Sequence, residues 1–220
     1  MYTNFNGVYG VKADHYREPR SVGELVSVVR GAGRVRVVGS VHTFNDMSLS
    51  RDTMIDMRRL DRILEITSGS GGPGSGTGAT VTVEAGIRLG VLLRALEVEG
   101  LTLPVMTATD RVSIAGAVST GAHGSDLRDG SMSSLVVGAE MIVADGSVVR
   151  VTGDDPDLLR AVRCGLGCLG ALYSLSLRCV PSFSIRERTM RMPWQRFCSE
   201  WLTDRERLSR FPYSDARVDQ

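Results

Sequence analysis

The feature that most constrains this chain is an apolar, β-branched run that stops abruptly in a turn of small residues. It is VRVVGSVHTFND at Val35–Asp46, and the turn within it is Gly39–Thr43. A strand that ends this way leaves several backbone N–H groups unpaired and pointing in one direction, which suits a phosphate or pyrophosphate. A second small-residue turn, TGAHGS at Thr120–Ser125, also contains a histidine. The two turns together predict one extended, phosphate-containing ligand that is held at two places.

The histidines in these turns have structural explanations as well as functional ones. His42 can hydrogen-bond a loop carbonyl instead of contacting a ligand. At His123, the neighbouring glycine permits close approach of the backbone to a ligand, but it equally permits a sharp turn. The sequence has only three histidines and no readable serine–histidine–acid order, so hydrolytic catalysis has little support.

Composition and charge argue against several classes of protein. With 26 basic and 25 acidic residues, the formal net charge is +1, so no broad field exists to attract nucleic acid or an anionic membrane. The sequence has no run of about 18 apolar residues, so no transmembrane helix is predicted. Its start lacks the pattern of a secretory signal, and the expected compartment is therefore cytoplasmic.

The cysteines predict no metal site. They are Cys164, Cys168, Cys179 and Cys198, with no CxxC pair and no histidine at ligand spacing. The spacing of Cys164 and Cys168 would suit one helix face, but buried free thiols are the commoner interpretation.

Local signals predict an irregular alternation of helices and strands. Capping boxes, prolines at helix starts and apolar residues at helical spacing indicate the helices. The first predicted helix follows Ser21 and ends near Gly31 or Gly33, and the second contains Leu89 to Leu96. Two further helices are predicted over Ser113–Thr120 and Pro156–Val162. The predicted strands are Val35–Val38, Thr53–Met57, Ile63–Thr67, Thr80–Glu84, Leu135–Val143, Ser147–Thr152 and Leu169–Val180. This order favours an α+β fold over a regular parallel βαβ array.

Two further glycine-rich segments are interpreted as loops. Residues 68–79, SGSGGPGSGTGA, form a low-complexity loop between two strands of one sheet. GLGCLG at Gly165–Gly170 has the spacing of the dinucleotide-binding GxGxxG motif. However, a predicted helix precedes it and a predicted strand follows it, which is the reverse of the required order. The segment is therefore interpreted as a tight helix-to-strand turn, which can still lie near a ligand.

Five blocks of sequence, in this order, resemble one known family. They are RVRVVGSVHTFND, VTVEAGIRLGVLLRAL, TDRVSIAGAVSTGAHGS, VVGAEMIVADGSVV and GLGCLGALYSLSLRCVP. Together they resemble the FAD-binding superfamily typified by vanillyl-alcohol oxidase, and in particular its sugar-1,4-lactone oxidases and alditol oxidases. The resemblance implies a PCMH-type FAD-binding domain over residues 10–182. It would consist of two α+β subdomains, at about residues 10–85 and 86–182, with the flavin between them.

The resemblance also implies which residues contact FAD. The first turn corresponds to the family's loop that wraps the pyrophosphate with backbone N–H groups, and the second turn to another segment that embraces the cofactor. The implied cofactor-binding residues are Gly39, Ser40, Val41, His42, Thr43, Ser113, Gly116, Thr120, Gly121, Ala122, His123, Ile142 and Ala171, with Leu172 as the alternative to Ala171. In the family, the histidine at the position of His42 is frequently bonded to the 8α carbon of the isoalloxazine ring, so covalent FAD at His42 is expected.

Val41 departs from the family pattern, which has glycine at this position in many members. A side chain there is acceptable if the backbone φ is negative, and members that resemble alditol oxidases also carry a bulky residue at this position. Thr43 replaces the usual serine and keeps a hydroxyl group.

The function implied by the resemblance is hydride transfer from a sugar-1,4-lactone or alditol to FAD, with oxygen or another acceptor taking the electrons. Family oxidases continue into a substrate domain, and Phe183–Gln220 resembles only its beginning, so no catalytic residue is assigned. The alternative is a catalytically incomplete FAD-binding module that needs a missing substrate domain or a partner chain. A third interpretation is a nucleotide-binding protein without flavin that uses the same turns.

Overall fold

The computed structural model describes residues 1–67, 78–125, 130–204 and 206. Its helices are α1 (Val22–Gly31), α2 (Leu89–Val98), α3 (Ile114–Ser119), α4 (Pro156–Arg163) and α5 (Trp194–Phe197). Its strands are β1 (Tyr2–Thr3), β2 (Gly10–Val11), β3 (His15–Arg17), β4 (Val35–Val38), β5 (Thr53–Asp56), β6 (Ile63–Thr67), β7 (Thr80–Glu84), β8 (Leu101–Thr102), β9 (Val136–Ile142), β10 (Val148–Val151), β11 (Ala171–Arg178) and β12 (Val180–Pro181). The α+β prediction is confirmed. Within the described ranges, no helix is long and apolar enough to cross a membrane.

A small parallel sheet forms the first part of the fold. Its strand order is β3-β5-β4, and both strand pairs are parallel. Helix α1 connects β3 to β4, and its N-cap Ser21 accepts a hydrogen bond from the N–H of Glu24 at 3.2 Å, as the capping-box spacing predicts. Leu25 and Val29 bury one face of α1 in a core cluster that includes residues of this sheet. The sheet therefore holds the end of β4, from which the Gly39–Thr43 turn follows.

A five-stranded antiparallel sheet forms the second part of the fold. Its strand order is β10-β9-β11-β7-β6. Strands β9 and β10 form the predicted hairpin, and Gly146 adopts a φ of +83° in its turn, the conformation for which an Asp-Gly pair is suited. The larger core cluster packs α2, α3 and α4 against this sheet through residues such as Leu96, Ile114 and Leu159.

Strands β6 and β7 belong to this second sheet. β7 pairs on one side with β6 and on the other with β11. The division between the two sheets therefore falls between Asp56 and Ile63, whereas the sequence interpretation placed a subdomain boundary near residue 85. Residues 68–77 of the predicted low-complexity loop lie outside the described residues, but its flanking strands do pair in one sheet, as predicted.

Two local expectations are wrong. The predicted strand Leu169–Val180 is divided into β11 and β12, and Pro181 itself pairs with Leu101 in a two-stranded sheet, where its missing N–H group is tolerated. Cys164 and Cys168 are exposed rather than buried. They lie in the turn between α4 and β11, because α4 ends at Arg163. The same arrangement confirms the helix-to-strand interpretation of the GLGCLG segment.

The chain begins with a hairpin that the sequence did not predict. Strands β1 and β2 pair antiparallel, with Tyr2 opposite Val11. The Tyr2 hydroxyl donates to the buried carboxylate of Asp56 at 3.3 Å, which links the hairpin to the end of β5. Strands of two residues are too short to show the alternation from which strands are predicted.

Candidate functional site

A cavity of about 650 Å³ lies where the two small-residue turns meet. This volume is within the range of about 300–1,000 Å³ that is usual for small-molecule and cofactor sites. Most of its wall comes from residues within three segments, 36–48, 112–122 and 165–172. Four further residues complete the wall: Met57, Ala85, Met141 and Val162.

The turn after β4 contributes unpaired backbone donors to this region. Among the described residues, the N–H groups of residues 40–43 have no hydrogen-bond acceptor. Two carbonyls of the same turn are occupied: Val41 accepts from the N–H of Phe5 at 3.1 Å, and Thr43 accepts from Asn4 Nδ2 at 3.0 Å. The turn therefore presents four free backbone donors, the arrangement that its sequence predicts for binding an anion.

The first turn and the start of α3 are held together by direct contact. The N–H of Ser113, at the start of α3, donates to Ser40 Oγ at 3.0 Å. A Cβ placed on Gly39 would lie 1.9 Å from Ser113 Oγ and 2.8 Å from Ser113 Cβ. Only glycine fits at position 39, because the two chain segments approach too closely for a side chain.

Three polar atoms of the cavity lining are buried and have no hydrogen-bond partner among the described residues. They are His42 Nδ1, Ser48 Oγ and Ser113 Oγ. An unsatisfied buried polar group costs about 1–3 kcal/mol, so each such case in a native structure requires an explanation. Three of them around one cavity fit a ligand that offers hydrogen-bonding groups.

Two lining residues have a backbone conformation that favours glycine. Val41 has a φ of +54° and Leu166 a φ of +50°, and they are the non-glycine residues with positive φ in the described part of the chain. Each such conformation costs about 1–3 kcal/mol and is typical of ligand-binding segments. The condition of a negative φ, under which a side chain is acceptable at this position, is not met at Val41, and the bond from Phe5 to the Val41 carbonyl holds the observed conformation.

The electrostatics of the lining favour an anionic ligand. Arg36 is the permanently charged side chain among the described lining residues, and none of these residues carries a carboxylate. A phosphate that enters the cavity would meet one cation and several unpaired N–H groups, and no like charge.

Nine of the thirteen residues that the sequence implicated line this cavity. They are Gly39, Ser40, Val41, His42, Thr43, Ser113, Gly116, Thr120 and Ala122. The structure thus brings together the first turn, residues at the start of and within α3, and two residues of the second turn in one space.

Gly121 and His123 lie beside the cavity rather than on its wall. Gly121 adopts a φ of +65° where α3 ends, and its backbone packs closely on the thiol of Cys164. His123 is exposed, and its Nδ1 lies 2.8 Å from the carbonyl oxygen of Gly124. His123 therefore makes the kind of hydrogen bond to a loop carbonyl that the sequence analysis gave as the structural alternative for His42.

Ile142 and Ala171 are buried in the core, where they form a pair across β9 and β11. Their sequence neighbours Met141 and Leu172 are the residues that line the cavity. Successive side chains of a strand point to opposite faces, so a difference of one residue decides which of them faces the cavity.

Sequence reasoning missed three further features of the site. The Phe5 ring stacks on His42, with ring centroids 5.4 Å apart and an angle of 18° between the planes. Ser48 supplies one of the buried hydroxyls, and Leu166 stands in the wall with its strained backbone. Only Leu166 had a signal, since it lies within the glycine-rich turn that the sequence singled out.

Comparisons with known proteins point to the same cofactor as the sequence. A family model described as "FAD binding domain" matches residues 13–152. The D-arabinono-1,4-lactone oxidase of Eremothecium gossypii is 33% identical over 208 residues, which cover 92% of this chain and 38% of that protein. The L-gulonolactone oxidase of Mus musculus is 32% identical over 192 residues, which cover 85% of this chain and 42% of that protein. This chain thus spans about two fifths of the length of these curated relatives.

A solved structure has a similar fold. The cholesterol oxidase from B. sterolicum superposes with a TM-score of 0.69 at 21% identity, over 82% of this chain and 36% of that one. At this level of identity, the likeness shows the fold alone.

Proposed function

Because this chain belongs to the family of FAD-binding domains whose model it matches, we propose that it carries the FAD site of an oxidoreductase acting on sugar 1,4-lactones. One observation carries the proposal: the free donors of the first turn and three buried polar atoms without a partner among the described residues belong to the lining of the same cavity. The named activities of the two relatives support a lactone as the substrate. Alditols are the second substrate class to test.

The residues of the cavity suit different parts of FAD. The unpaired N–H groups of residues 40–43 would hold the diphosphate, with the charge of Arg36 nearby. The buried hydroxyls of Ser48 and Ser113 would donate to polar atoms of the cofactor, which removes the cost of leaving them unpartnered. Met141 and Leu172 would form an apolar part of the wall and exclude water from the cavity.

When bound, FAD supplies the hydride acceptor and the route by which two electrons reach dioxygen or another acceptor. This chain's contribution is to bind and orient that group. The proposed substrate oxidation removes a hydride from the carbon and a proton from the hydroxyl of one CH–OH group, which becomes a carbonyl.

We also propose that His42 attaches FAD covalently. The imidazole N–H bond and one C–H bond of the 8α methyl group would break as an N–C bond forms between them, and the two electrons and two protons released would reduce dioxygen to hydrogen peroxide. The support is that His42 Nδ1 is buried at the cavity wall without a partner among the described residues. Such a bond would fix the ring in place and favour its reduced form, which makes it the stronger oxidant.

Acid precipitation tests the attachment directly. Yellow colour should stay with the precipitated wild-type protein, and His42→Ala should release FAD into the supernatant. His123→Ala is the matched control, because this exposed histidine lies outside the lining. Colour that leaves the wild type, or stays with His42→Ala, would show that His42 is not the attachment residue.

Visible spectroscopy tests the wider proposal. The purified chain should show flavin absorbance, at the latest after FAD has been added, and lactones added without oxygen should bleach it. An absence of flavin absorbance under both conditions would overturn the proposal and favour a nucleotide-binding protein without flavin. Bleaching by alditols but not by lactones would change the proposed substrate class.

The second candidate function is an FAD-binding module that needs a substrate domain or a partner chain for catalysis. The favouring observation is that this chain spans 38% and 42% of the two relatives' lengths. In this case the chain binds FAD, but neither lactones nor alditols bleach it. Reduction by dithionite is the positive control, since it requires no substrate site.

A further inference from the structure

The N-terminal hairpin contacts the turn that contains His42, and it lies outside the stretch matched by the family model, which begins at residue 13. Asn4 is 2% exposed, and it receives a hydrogen bond from the N–H of Tyr9 on its Oδ1 at 3.1 Å. The same side chain donates from Nδ2 to the Thr43 carbonyl at 3.0 Å. One buried amide thus joins both arms of the hairpin to the turn.

The backbone of Phe5 makes a second connection, to the other side of His42. Its N–H donates to the Val41 carbonyl at 3.1 Å. A trans peptide unit is planar, so its C=O and its N–H point in opposite directions. A bond from the hairpin to the Val41 carbonyl therefore directs the N–H of His42 away from the hairpin. The bond to the Thr43 carbonyl does the same for the N–H of Phe44.

The Phe5 side chain acts on the imidazole itself. Its ring stacks on His42 with a centroid distance of 5.4 Å. It also makes a T-shaped contact with the Phe44 ring, whose centroid lies 5.0 Å away. Phe5 is 51% exposed, so its burial contributes little to the core of the protein. Its contact with His42 limits the orientations that the imidazole can adopt.

We propose that this hairpin is a positioning element, in which Asn4 and Phe5 set the peptide planes of the turn and the ring of His42 before FAD binds. The inference rests on the proposed FAD site and deepens it. Asn4 and Phe5 are positioning residues, because they act through the turn and through His42. The hairpin is itself anchored at a distance from the cavity, through the Tyr2 hydroxyl on the buried carboxylate of Asp56.

The experiment separates the Phe5 ring from the rest of the hairpin. Phe5→Leu keeps the backbone donor and the apolar bulk but removes the aromatic face, and Phe5→Tyr restores that face. Val8→Ser is the control in the same hairpin, because Val8 is 69% exposed and its N–H bonds only within the hairpin, to Asn6. Asn4→Asp tests the other contact, since it keeps the side-chain shape but removes the amide donor to Thr43.

Two measurements are made on each variant. The first is the NMR shift of the His42 ring protons in protein without FAD, which reports the ring current of a stacked aromatic side chain. The second is FAD affinity, measured by the quenching of flavin fluorescence without oxygen, because the covalent attachment proposed for His42 requires dioxygen. An aromatic pair or a hydrogen bond of ordinary strength corresponds to a weakening of about 2- to 13-fold when preorganisation is lost.

The proposal expects Phe5→Leu to lose the ring-current shift and to bind FAD more weakly, while Phe5→Tyr and Val8→Ser resemble the wild type. Asn4→Asp should also weaken FAD binding. Wild-type shifts or wild-type affinity in Phe5→Leu would overturn the proposal, and so would an equal loss in Val8→Ser, which would indicate general loosening of the hairpin. A wild type that binds no FAD would refute the proposed function, and the ring-proton shifts would still decide whether Phe5 sets the His42 ring.

Discussion

Replacing Gly39 by alanine tests whether the contact between the first turn and the start of α3 is what forms the cofactor site. The new Cβ would lie 1.9 Å from Ser113 Oγ and 2.8 Å from Ser113 Cβ, and real Cβ atoms essentially never approach other atoms within 3.0 Å. Rotation of the Ser113 hydroxyl relieves the first contact but not the second, because the Cβ position does not depend on the rotamer. The backbone must therefore move apart.

The expected size of the effect follows from the cost of such overpacking, about 1–3 kcal/mol, which corresponds to about 5- to 150-fold weaker FAD binding. Ser113→Gly removes both atoms that the new Cβ would meet. It keeps the backbone N–H that bonds to Ser40, and glycine is well tolerated at the N-cap position that Ser113 occupies. The double variant Gly39→Ala with Ser113→Gly should therefore bind FAD about as well as Ser113→Gly alone.

Fluorescence titration with FAD, without oxygen so that no covalent bond forms, on the wild type, both single variants and the double variant gives this coupling as a double-mutant cycle. Gly153→Ala is the matched control, because a Cβ at that position would meet nothing within 4 Å. Additive losses in the double variant, or wild-type affinity in Gly39→Ala, would refute the idea that close contact between the first turn and the start of α3 creates the site.

Three further predictions concern the scaffold. Gly86→Ala should destabilise the fold by about 3 kcal/mol, because its Cβ would lie 1.9 Å from the carbonyl oxygen of Met57, a backbone atom that no side-chain truncation removes. Urea denaturation measures this change, and an unchanged midpoint would contradict the prediction. Burial acts to raise the pKa of Glu84, but hydrogen bonds and the charge of Arg62 lower the pKa below its ordinary value. The ionised Glu84 therefore makes its full contribution to the free energy of unfolding above the unfolded-state pKa of about 4.3. This contribution is lost as the pH falls through the lower folded-state pKa, so Glu84→Gln should make stability fall less steeply with decreasing pH. Burial raises the pKa of the Cys179 thiol to about 11, so Ellman's reagent should modify the exposed cysteines of the folded protein and reach Cys179 only after denaturation.

The parts of the fold that the sequence predicted are those that local chemistry determines. The capping box at Ser21 and the Asp-Gly turn before Ser147 each specify a conformation within a few residues, and both features occur as predicted. The strand before Gly39 was likewise predicted from a short apolar run. The site-bearing turn was found because its conformation and its unpaired donors follow from that same local pattern.

The parts that the sequence did not predict depend on distant contacts. The positive φ of Val41 is held by Phe5, which lies 36 positions earlier and gives no sign of that role in the sequence. The choice between Ile142 and Met141 as a wall residue depends on which face of β9 meets the cavity. No local pattern decides this, since both neighbours are apolar.

The position of β11 between β9 and β7 has a consequence for how the protein is made. Glu84 of β7 cannot form its strand pairing with Ser174 until Ser174 has been synthesised, 90 residues later. Until the ribosome has released this last central strand, β7 and β9 present open edges to the surrounding solution, where such edges invite aggregation. The wall segment at residues 165–172 also arrives at this late stage. The complete cavity wall therefore exists only after residue 172 has left the ribosome, so a lack of FAD in the cell should leave the earlier steps of folding unchanged.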